Sequence, residues 1–472
     1  MSDINKMQNL ASFKTRRDRL MAQMQAQGGG IAIIPTAREQ VRNNDNHFPF
    51  RHDSYFYYLT AFTEPEALLV LIANGSEQRS ILFCRDKNME REIWDGFRFG
   101  PLAAQTQFGF DAAFPITELD AQMPALLTDA ASLFYSAGVD AEWDAQVQNW
   151  LKIVAAKSRS GVLPPSTTID VRRLLDEMRV IKDASEIQLM QTAARISGEA
   201  HARAMRFTRP GHFEYQIEAE LMHEFRRQGA QSPAYGAIVA SGANACVLHY
   251  QSNAMQVKDG DLVLIDAGCE WDSYAADITR TFPVNGKFSA AQKLLYELVL
   301  AAQEAALDCA HPGSRYMDGH DAAVKVLTQG MLDVGLLDKQ IVGNCDDAIA
   351  SGAFRQFYMH GTGHWLGLDV HDAGAYRKHG THGTHGTQDA IDKQCAERPW
   401  RALEAGMVIT IEPGIYVRPA ENVPKEFWDI GIRIEDDVLI TPDGHLNLSR
   451  DTPKTVSEVE AEMARSVSIA VA

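Results

Sequence analysis

Three apolar runs in the C-terminal half of the chain each lead into an acidic residue, and this pattern constrains the fold more than any other feature. The runs are residues 262–266, ending in Asp266, residues 407–412, ending in Glu412, and residues 431–435, ending in Glu435. In a β-strand, residues two apart share a face, so Asp266 lies on the face of Leu262 and Leu264. A carboxylate among apolar neighbours is unfavourable unless it is paired, hydrogen-bonded or bound to a metal. The pattern therefore favours strands that bring buried acids to a partner.

A fourth acid, Asp277, follows Asp266 by eleven residues, and a short turn between two strands would bring the two side chains together. Two carboxylates in contact repel each other, so a cation between them is one interpretation. For this pair alone, an ordinary role in a turn or a helix cap is equally plausible. The glycine-flanked histidine His364, together with Glu412 and Glu435, favours a metal site over the turn or cap interpretation.

The chemistry of these side chains favours particular metals. Four carboxylates and one imidazole suit manganese, or cobalt or iron, better than a metal that prefers thiolates. Two divalent cations would balance the four negative charges. Such cations lower the pKa of a bound water molecule from about 15.7 to about 7 and so supply a hydroxide for hydrolysis. We therefore predict a metal-dependent hydrolase with a two-metal carboxylate site.

Other motifs are absent or are better explained in another way. His360 and His364 stand four apart, as zincin ligands do, but Gly361 occupies the position of the glutamate that a zincin requires. The segment HGTHGTHGT at residues 379–387 carries three histidines, yet its glycines and basic flanks predict a mobile surface loop. The sequence contains no Walker loop, no dinucleotide fingerprint and no nucleophile elbow.

The length of 472 residues exceeds one ordinary domain and predicts two. Alternating strands and helices predict an α/β domain over residues 1–175. Grouped strands and helices predict an α+β domain with a curved antiparallel sheet over residues 176–472. The predicted strands are residues 31–35, 67–73, 80–83, 261–268, 274–284, 407–416 and 430–441, and the predicted helices are residues 7–27, 184–207, 288–310 and 316–334 and the tail from residue 452.

Charge and cysteine content exclude some classes of partner and compartment. The net charge of −17 disfavours nucleic acid and anionic membranes as partners. Residues 1–27 contain basic side chains but no apolar segment typical of a secretory signal. The six cysteines are scattered without a CxxC pair, which favours reduced thiols over a disulfide framework. These features predict a soluble, cytoplasmic protein.

The catalytic half resembles the pita-bread metallopeptidases, and the chain from about residue 43 to about residue 441 resembles their aminopeptidase P branch, the Xaa-Pro aminopeptidases. The stretches that carry the resemblance are residues 42–60, 92–96, 259–285, 360–372, 412–416 and 431–437. This family hydrolyses the bond between an N-terminal residue and a following proline. The resemblance implies two divalent metal ions, with Mn²⁺ as the expected metal, and a metal-bridging hydroxide as the nucleophile.

The family pattern places metal ligands at five positions, and all five carry the expected type of residue. Asp266 would bind one metal ion, Asp277 and Glu435 would bridge both, and His364 and Glu412 would hold the other. Glu412 would also move a proton between the attacking water and the leaving imino nitrogen.

Three further histidines match positions at which the family contacts its substrate. His249 and His371 resemble histidines that bind the substrate and stabilise the oxyanion, and they are expected to act in catalysis. His360 resembles the histidine that lines the proline pocket.

Arg433 stands two residues before Glu435 and therefore on the same face of the predicted strand. The resemblance implies that Arg433 steadies Glu435 or the substrate. Tyr416 and Trp94 are expected to support the substrate pocket. Because Trp94 belongs to the N-terminal domain, it is expected to reach the site of a neighbouring subunit. The resemblance therefore also implies a homo-oligomer, either a dimer or a tetramer.

Two alternative functions stay open. A prolidase, which cleaves Xaa-Pro dipeptides, shares all five ligands, but residues 42–60 and 92–96 favour the aminopeptidase. A non-catalytic binding module on the same fold would have lost metal ligands, whereas this chain keeps every one. Residues 376–400 are longer than the family pattern requires and would trim or extend the substrate groove.

Overall fold

The computed structural model describes residues 3–378 and 393–465. The chain divides into two compact units, Met1–Met178 and Arg179–Ala472, which are called unit 1 and unit 2 below. Within the described ranges, no helix is both long enough and apolar enough to cross a membrane.

Unit 1 is built on one six-stranded sheet with helices between its strands. Its strands are β1 Gly30–Pro35, β2 Val41–Asn43, β3 Asn46–His47, β4 Leu68–Asn74, β5 Glu77–Cys84, β6 Ala112–Pro115, β7 Ser132–Phe134 and β8 Thr167–Ile169. Its helices are α1 Asp3–Ala26, α2 Ser54–Thr60, α3 Met89–Asp95, α4 Gly100–Phe108, α5 Leu119–Leu127 and α6 Ala141–Ala155, and α7 Arg172–Val180 carries the chain into unit 2. The strand order across the sheet is β6-β5-β4-β1-β7-β8, while β2 and β3 form a separate hairpin.

The centre of this sheet is the pair β1 and β4. The two strands run antiparallel, with Gly30 opposite Ala73 and Pro35 opposite Leu68. Both are continuous apolar runs and are buried along almost their whole length, as in strands that are covered on both faces. The pairs β1–β7 and β5–β6 are parallel. The predicted α/β class and the strands predicted at residues 31–35 and 67–73 are therefore confirmed.

The described residues of unit 2 form four small antiparallel sheets with long helices packed around them. Its strands are β9 Ser232–Pro233, β10 Ile238–Ser241, β11 Leu262–Asp266, β12 Cys269–Trp271, β13 Tyr274–Ala275, β14 Thr279–Pro283, β15 Val408–Ile411, β16 Gly414–Val417, β17 Ile430–Arg433, β18 Asp436–Thr441 and β19 Gly444–Asn447. Its helices are α8 Ala184–Phe207, α9 Glu214–Arg227, α10 Ala290–Asp308, α11 Asp318–Asp333, α12 Lys339–Val342, α13 Cys345–Ser351 and α14 Val456–Ala464. The sheets have the orders β10-β11-β14, β13-β12-β9, β15-β18-β19 and β16-β17.

The long helix α8 begins and ends where the sequence predicts. Asp183 caps it by accepting hydrogen bonds from the backbone of Ser185 and Glu186, and the Glu186 side chain accepts the backbone N–H of Asp183 in return. This reciprocal capping box satisfies backbone donors that have no partner inside the helix. The helix buries Ala193 and Ile196 in one core cluster with apolar residues of β10, β11 and β14.

Three of the predicted strands are each divided in two, the first being residues 274–284, which form β13 and β14. Residues 407–416 form β15 and β16 with Glu412 in the gap, and residues 430–441 form β17 and β18 with Glu435 in the gap. Strand β15 pairs with β18, whereas β16 pairs with β17, so both segments pass from one sheet to the other at the same point. The expectation that Arg433 and Glu435 share the face of one strand is therefore wrong, because β17 ends at Arg433.

Candidate active site

Four carboxylates of unit 2 lie where strands end. Asp266 is the last residue of β11, Asp277 lies between β13 and β14, Glu412 lies between β15 and β16, and Glu435 lies between β17 and β18. In the middle of a strand, the pleat fixes the face on which each side chain lies. A residue in a gap is released from this alternation, so its carboxylate can turn towards the space between the sheets.

Two glycines allow the backbone segments around the carboxylates to approach one another. A Cβ atom on Gly268 would lie 1.7 Å from the carbonyl oxygen of Ala276, so no other residue fits there. A Cβ atom on Gly363 would lie 1.9 Å from the carbonyl oxygen of Thr410. The neighbouring His364 donates its backbone N–H to the Thr410 hydroxyl at 3.1 Å and accepts the Thr410 N–H at 2.9 Å. Glycine at these positions therefore brings the histidine loop onto β15.

Asp277, His364 and Glu435 form the tightest group of candidate metal ligands. One ligand atom from each of them lies within 4.8 Å of the others. The Nε2 atom of His364 is 3.4 Å from Asp277 Oδ2 and 3.8 Å from Glu412 Oε1. Its Nδ1 atom lies 3.0 Å from the carbonyl oxygen of Trp365, and this hydrogen bond leaves Nε2 free to face the carboxylates. The arrangement suits an imidazole that coordinates a metal through Nε2.

The hydroxyl of Tyr235 joins Asp266 to Asp277. It lies 2.5 Å from Asp266 Oδ1 and makes a second, shorter contact with Asp277 Oδ1. A hydroxyl has only one hydrogen to donate, so the two carboxylates compete for it. Behind them, the two oxygens of Asp437 lie 3.2 and 3.3 Å from the backbone nitrogen of Asp277. Tyr235 and Asp437 are absent from the site predicted from the sequence, because a single loop tyrosine has no spacing signal and Asp437 adjoins the stronger candidate Glu435.

Arg433 is buried among these acids. Its Nη2 atom lies 2.6 Å from Asp266 Oδ2, and it donates to the Tyr416 hydroxyl at 3.0 Å and to the Thr279 hydroxyl at 3.1 Å. The Thr279 hydroxyl in turn donates to Glu435 Oε2 at 2.7 Å. Arg433 therefore pairs with Asp266 directly and reaches Glu435 only through a threonine.

Burial of so much negative charge shifts the pKa values of the site. Burial and neighbouring carboxylates raise the pKa of Glu435 well above its usual range, and burial raises the pKa of Glu412 to about 7. Burial disfavours the charged imidazole of His364, but its hydrogen bond to Asp277 and the charge of that residue outweigh burial and raise its pKa to about 9. The metal-free site therefore collects protons. A divalent cation would supply the same positive charge, and the oxygen and imidazole donors fit one.

Three further histidines surround the carboxylates. The Nε2 atom of His360 lies 2.8 Å from the Tyr416 hydroxyl. The ring of His371 lies 4.2 Å from the ring of His364, measured between centroids. His249 is exposed. Burial first, and then nearby positive charges that include His249, lower the pKa of His360 and of His371. His249 therefore lies near both His360 and His371, and His371 lies beside the candidate ligand His364.

Two predicted features lie outside the described part of unit 2. Trp94 lies on α3 of unit 1, where its side chain is 83% exposed. The predicted loop at residues 379–387 lies outside the described residues. At the base of that insertion, the backbone N–H of Arg401 donates to the carbonyl oxygen of Tyr376 at 2.9 Å.

Both parts of the chain match families of known proteins. Residues 188–442 match metallopeptidase family M24, and residues 13–135 match the aminopeptidase P N-terminal domain. The Xaa-Pro aminopeptidase of Haemophilus influenzae is 43% identical, over 95% of this chain and 96% of that protein. The structure of a Pseudomonas aeruginosa aminopeptidase matches with a TM-score of 0.90 at 46% identity, over 96% of this chain and 98% of that one.

A third relative is zinc-substituted Escherichia coli aminopeptidase P in complex with product. Its structure matches with a TM-score of 0.88 at 42% identity, over 96% of this chain and 98% of that one. These matches extend over nearly the whole of each protein and include both units. The chain therefore belongs to metallopeptidase family M24 and, within it, to the aminopeptidase P family.

Proposed function

We propose that this chain is an Xaa-Pro aminopeptidase, which removes the N-terminal residue from peptides that have proline in second position. One observation carries the proposal: Asp277, His364 and Glu435, expected as ligands from the sequence, converge within 4.8 Å in a chain of the aminopeptidase P family. Asp266 and Glu412 complete the set, since Tyr235 links Asp266 to Asp277 and Glu412 lies beside His364. A binding module that had lost catalysis would have no reason to keep five such side chains together.

The expected cofactor is a pair of divalent metal ions, with Mn²⁺ as our proposal. Asp266 would hold one ion, Asp277 and Glu435 would bridge both, and His364 and Glu412 would hold the other. When bound, such ions act as Lewis acids that lower the pKa of a water molecule and polarise a carbonyl group. Oxygen-rich ligand sets favour manganese over metals that prefer thiolates.

Glu412 has the properties required of a proton carrier. Burial raises the pKa of its carboxyl group to about 7, close to the value at which a general base works well near neutral pH. We propose that Glu412 takes a proton from the attacking water and delivers it to the imino nitrogen of proline. His249 and His371 border the same space and would donate hydrogen bonds to the substrate and to the developing oxyanion.

Selection for proline follows from the shape that this residue imposes. Proline lacks a backbone N–H, and its ring fixes φ near −65°, so a rigid apolar slot recognises it better than a backbone hydrogen-bond donor does. We propose that His360, held by Tyr416 at 2.8 Å, and His371 form walls of this slot. The free amine of the substrate would lie near Asp266, which would restrict cleavage to the first residue.

Unit 1 is proposed to control substrate access and to form contacts between copies of this chain in a dimer or a tetramer. Its segment 89–102 exposes large apolar side chains that a monomer would leave in water. Met89, Ile93, Trp94 and Leu102 are each at least 80% exposed, and Phe97 is 65% exposed. A second copy would cover this surface, and Trp94 would then reach the site of its neighbour. Residence in the cytoplasm stays a prediction from the sequence.

The test compares an Xaa-Pro dipeptide with the matching Xaa-Pro-Yaa tripeptide at equal concentration, with metal content measured on the same sample. We expect cleavage of the tripeptide after its first residue and about two manganese ions per chain. Rapid cleavage of the dipeptide with no cleavage of the tripeptide would identify a prolidase and overturn the proposal. A tripeptide with alanine in place of proline is the matched control and should be a poor substrate.

A further inference from the structure

One buried carboxylate outside the candidate metal site has an unusual set of partners. Glu214 is the first residue of α9, and its side chain is fully buried. Among the residues that the structure describes, no basic side chain forms an ion pair with it. A buried charge without a counter-ion requires several hydrogen bonds to remain stable.

Five donors satisfy the Glu214 carboxylate, and all five come from residues 241–255. Oε1 accepts hydrogen bonds from the backbone N–H of Ser241 at 2.8 Å, its hydroxyl at 2.7 Å and the side-chain amide of Asn244 at 3.1 Å. Oε2 accepts the Tyr250 hydroxyl at 2.8 Å and the backbone N–H of Met255 at 2.9 Å. A single side chain thus holds both ends and the middle of one loop.

This loop carries His249, next to the residue whose hydroxyl Glu214 accepts. Residues 242–246 form a 3-10 helix, and the backbone then continues to Met255 without forming a strand or an α-helix. The loop has other anchors, since Asn253 donates to Glu218 on the next turn of α9 at 2.9 Å. His249 itself is exposed and lies close enough to His360 and His371 to affect the pKa of both, so its position depends on how the surrounding loop is held.

We propose that Glu214 is a positioning residue that fixes the loop 241–255 and thereby places His249 over the substrate. The inference rests on the proposed role of His249 and extends it to a residue that does not contact the substrate. Misplacement of a catalytic group by about 1 Å can cost about 100-fold in rate, so a loop with this function needs rigid anchors.

Replacement of Glu214 by glutamine is a sharp test because it nearly preserves the shape of the side chain. A glutamine amide has one acceptor oxygen and one NH₂ donor. Each Glu214 oxygen accepts one backbone N–H, from Ser241 on one side and from Met255 on the other. Whichever way the amide turns, its NH₂ group therefore meets a backbone donor, and one end of the loop loses its hydrogen bond.

The experiment is a double-mutant cycle of Glu214→Gln and His249→Ala in the metal-loaded, full-length enzyme. We expect His249→Ala to lower kcat by about 100-fold. Glu214→Gln should lower kcat by about 10-fold or more, with metal content unchanged. Because Glu214 acts through His249, adding Glu214→Gln to His249→Ala should change kcat by less than about twofold. Glu220→Gln is the matched control on the same helix, where the carboxylate pairs with Arg203, and it should keep normal kcat.

Three outcomes would overturn the inference in distinguishable ways. Independent effects that multiply in the double mutant would show that Glu214 does not act through His249. Normal kcat in Glu214→Gln, together with a large loss in His249→Ala, would show that the loop needs no such anchor. Normal kcat in His249→Ala would instead remove the proposed catalytic role of His249. If Glu214→Gln fails to fold, Tyr250→Phe is the substitute test, because it removes one of the five donors. This variant should also lower kcat.

Discussion

Replacement of Arg433 by methionine tests whether Arg433 and bound metal ions neutralise the same carboxylates. The Arg433 side chain is 4% exposed, and its Nη2 atom lies 2.6 Å from Asp266 Oδ2. It also donates to Tyr416 and Thr279, but each of these hydroxyls keeps another hydrogen-bond partner in the variant. Methionine retains most of the apolar stem, so the main interaction that the variant loses is the ion pair with Asp266.

Removal of one partner from a buried ion pair destabilises a protein by about 3–5 kcal/mol. The Tyr235 hydroxyl still lies 2.5 Å from Asp266 Oδ1, so we expect the lower end of that range, about 3 kcal/mol, for the metal-free enzyme. Over the roughly 290 residues of unit 2, this loss lowers the Tm by about 5 °C. With Mn²⁺ bound, Asp266 keeps a positive partner, and the loss should fall to that of an ordinary hydrogen bond, about 1 kcal/mol.

Differential scanning calorimetry of the metal-free and Mn²⁺-loaded variant measures both values. The matched control is Arg280→Met, because Arg280 is also fully buried and pairs with Asp436 at 2.7 Å. It contacts the proposed ligand Glu435 only through the backbone carbonyl oxygen of that residue and not through its carboxylate. The control should lose a similar amount of stability with and without Mn²⁺. An equal loss for Arg433→Met in the two states would refute the idea that the metal ions and the guanidinium share their carboxylates.

Three further predictions concern the metal ligands and their neighbours. Asp277→Ala or Glu435→Ala should abolish metal binding, measured by elemental analysis, and should remove nearly all turnover. Full metal content with normal kcat would contradict the assignment of these residues as ligands. His371→Ala should keep its metal but lose about 100-fold in kcat, and loss of metal would instead make His371 a ligand. Metal affinity, measured by calorimetric titration, should fall as the pH is lowered from 9 to 6. The reason is that protons compete with the metal, first on His364, with a pKa of about 9, and then on Glu412, with a pKa of about 7. An affinity independent of pH over this range would contradict those raised pKa values.

Local sequence determined much of what the structure contains. Helix α8 begins after the cap at Asp183 and ends where the sequence predicts, because capping and apolar spacing act within a few residues. The central strands of unit 1 are short continuous apolar runs rich in β-branched residues and bounded by turn residues, a local pattern that favours buried strands over helices. Three of the candidate ligands, Asp266, Glu412 and Glu435, also stand out in the sequence, because an acid at the end of an apolar run is unfavourable without a partner. Asp277 and His364 were expected from the family resemblance.

Only the tertiary structure decided how these side chains are supported. The breaks at Glu412 and Glu435 arise because each segment changes from one sheet to another. The sequence of a single segment does not indicate which strand it will pair with. The contacts of Tyr235 with Asp277 and of Glu214 with a loop at residues 241–255 join residues far apart in the chain. Apolar periodicity is a property of neighbouring residues, whereas the partner of a buried hydroxyl or carboxylate depends on which strands and helices pack together.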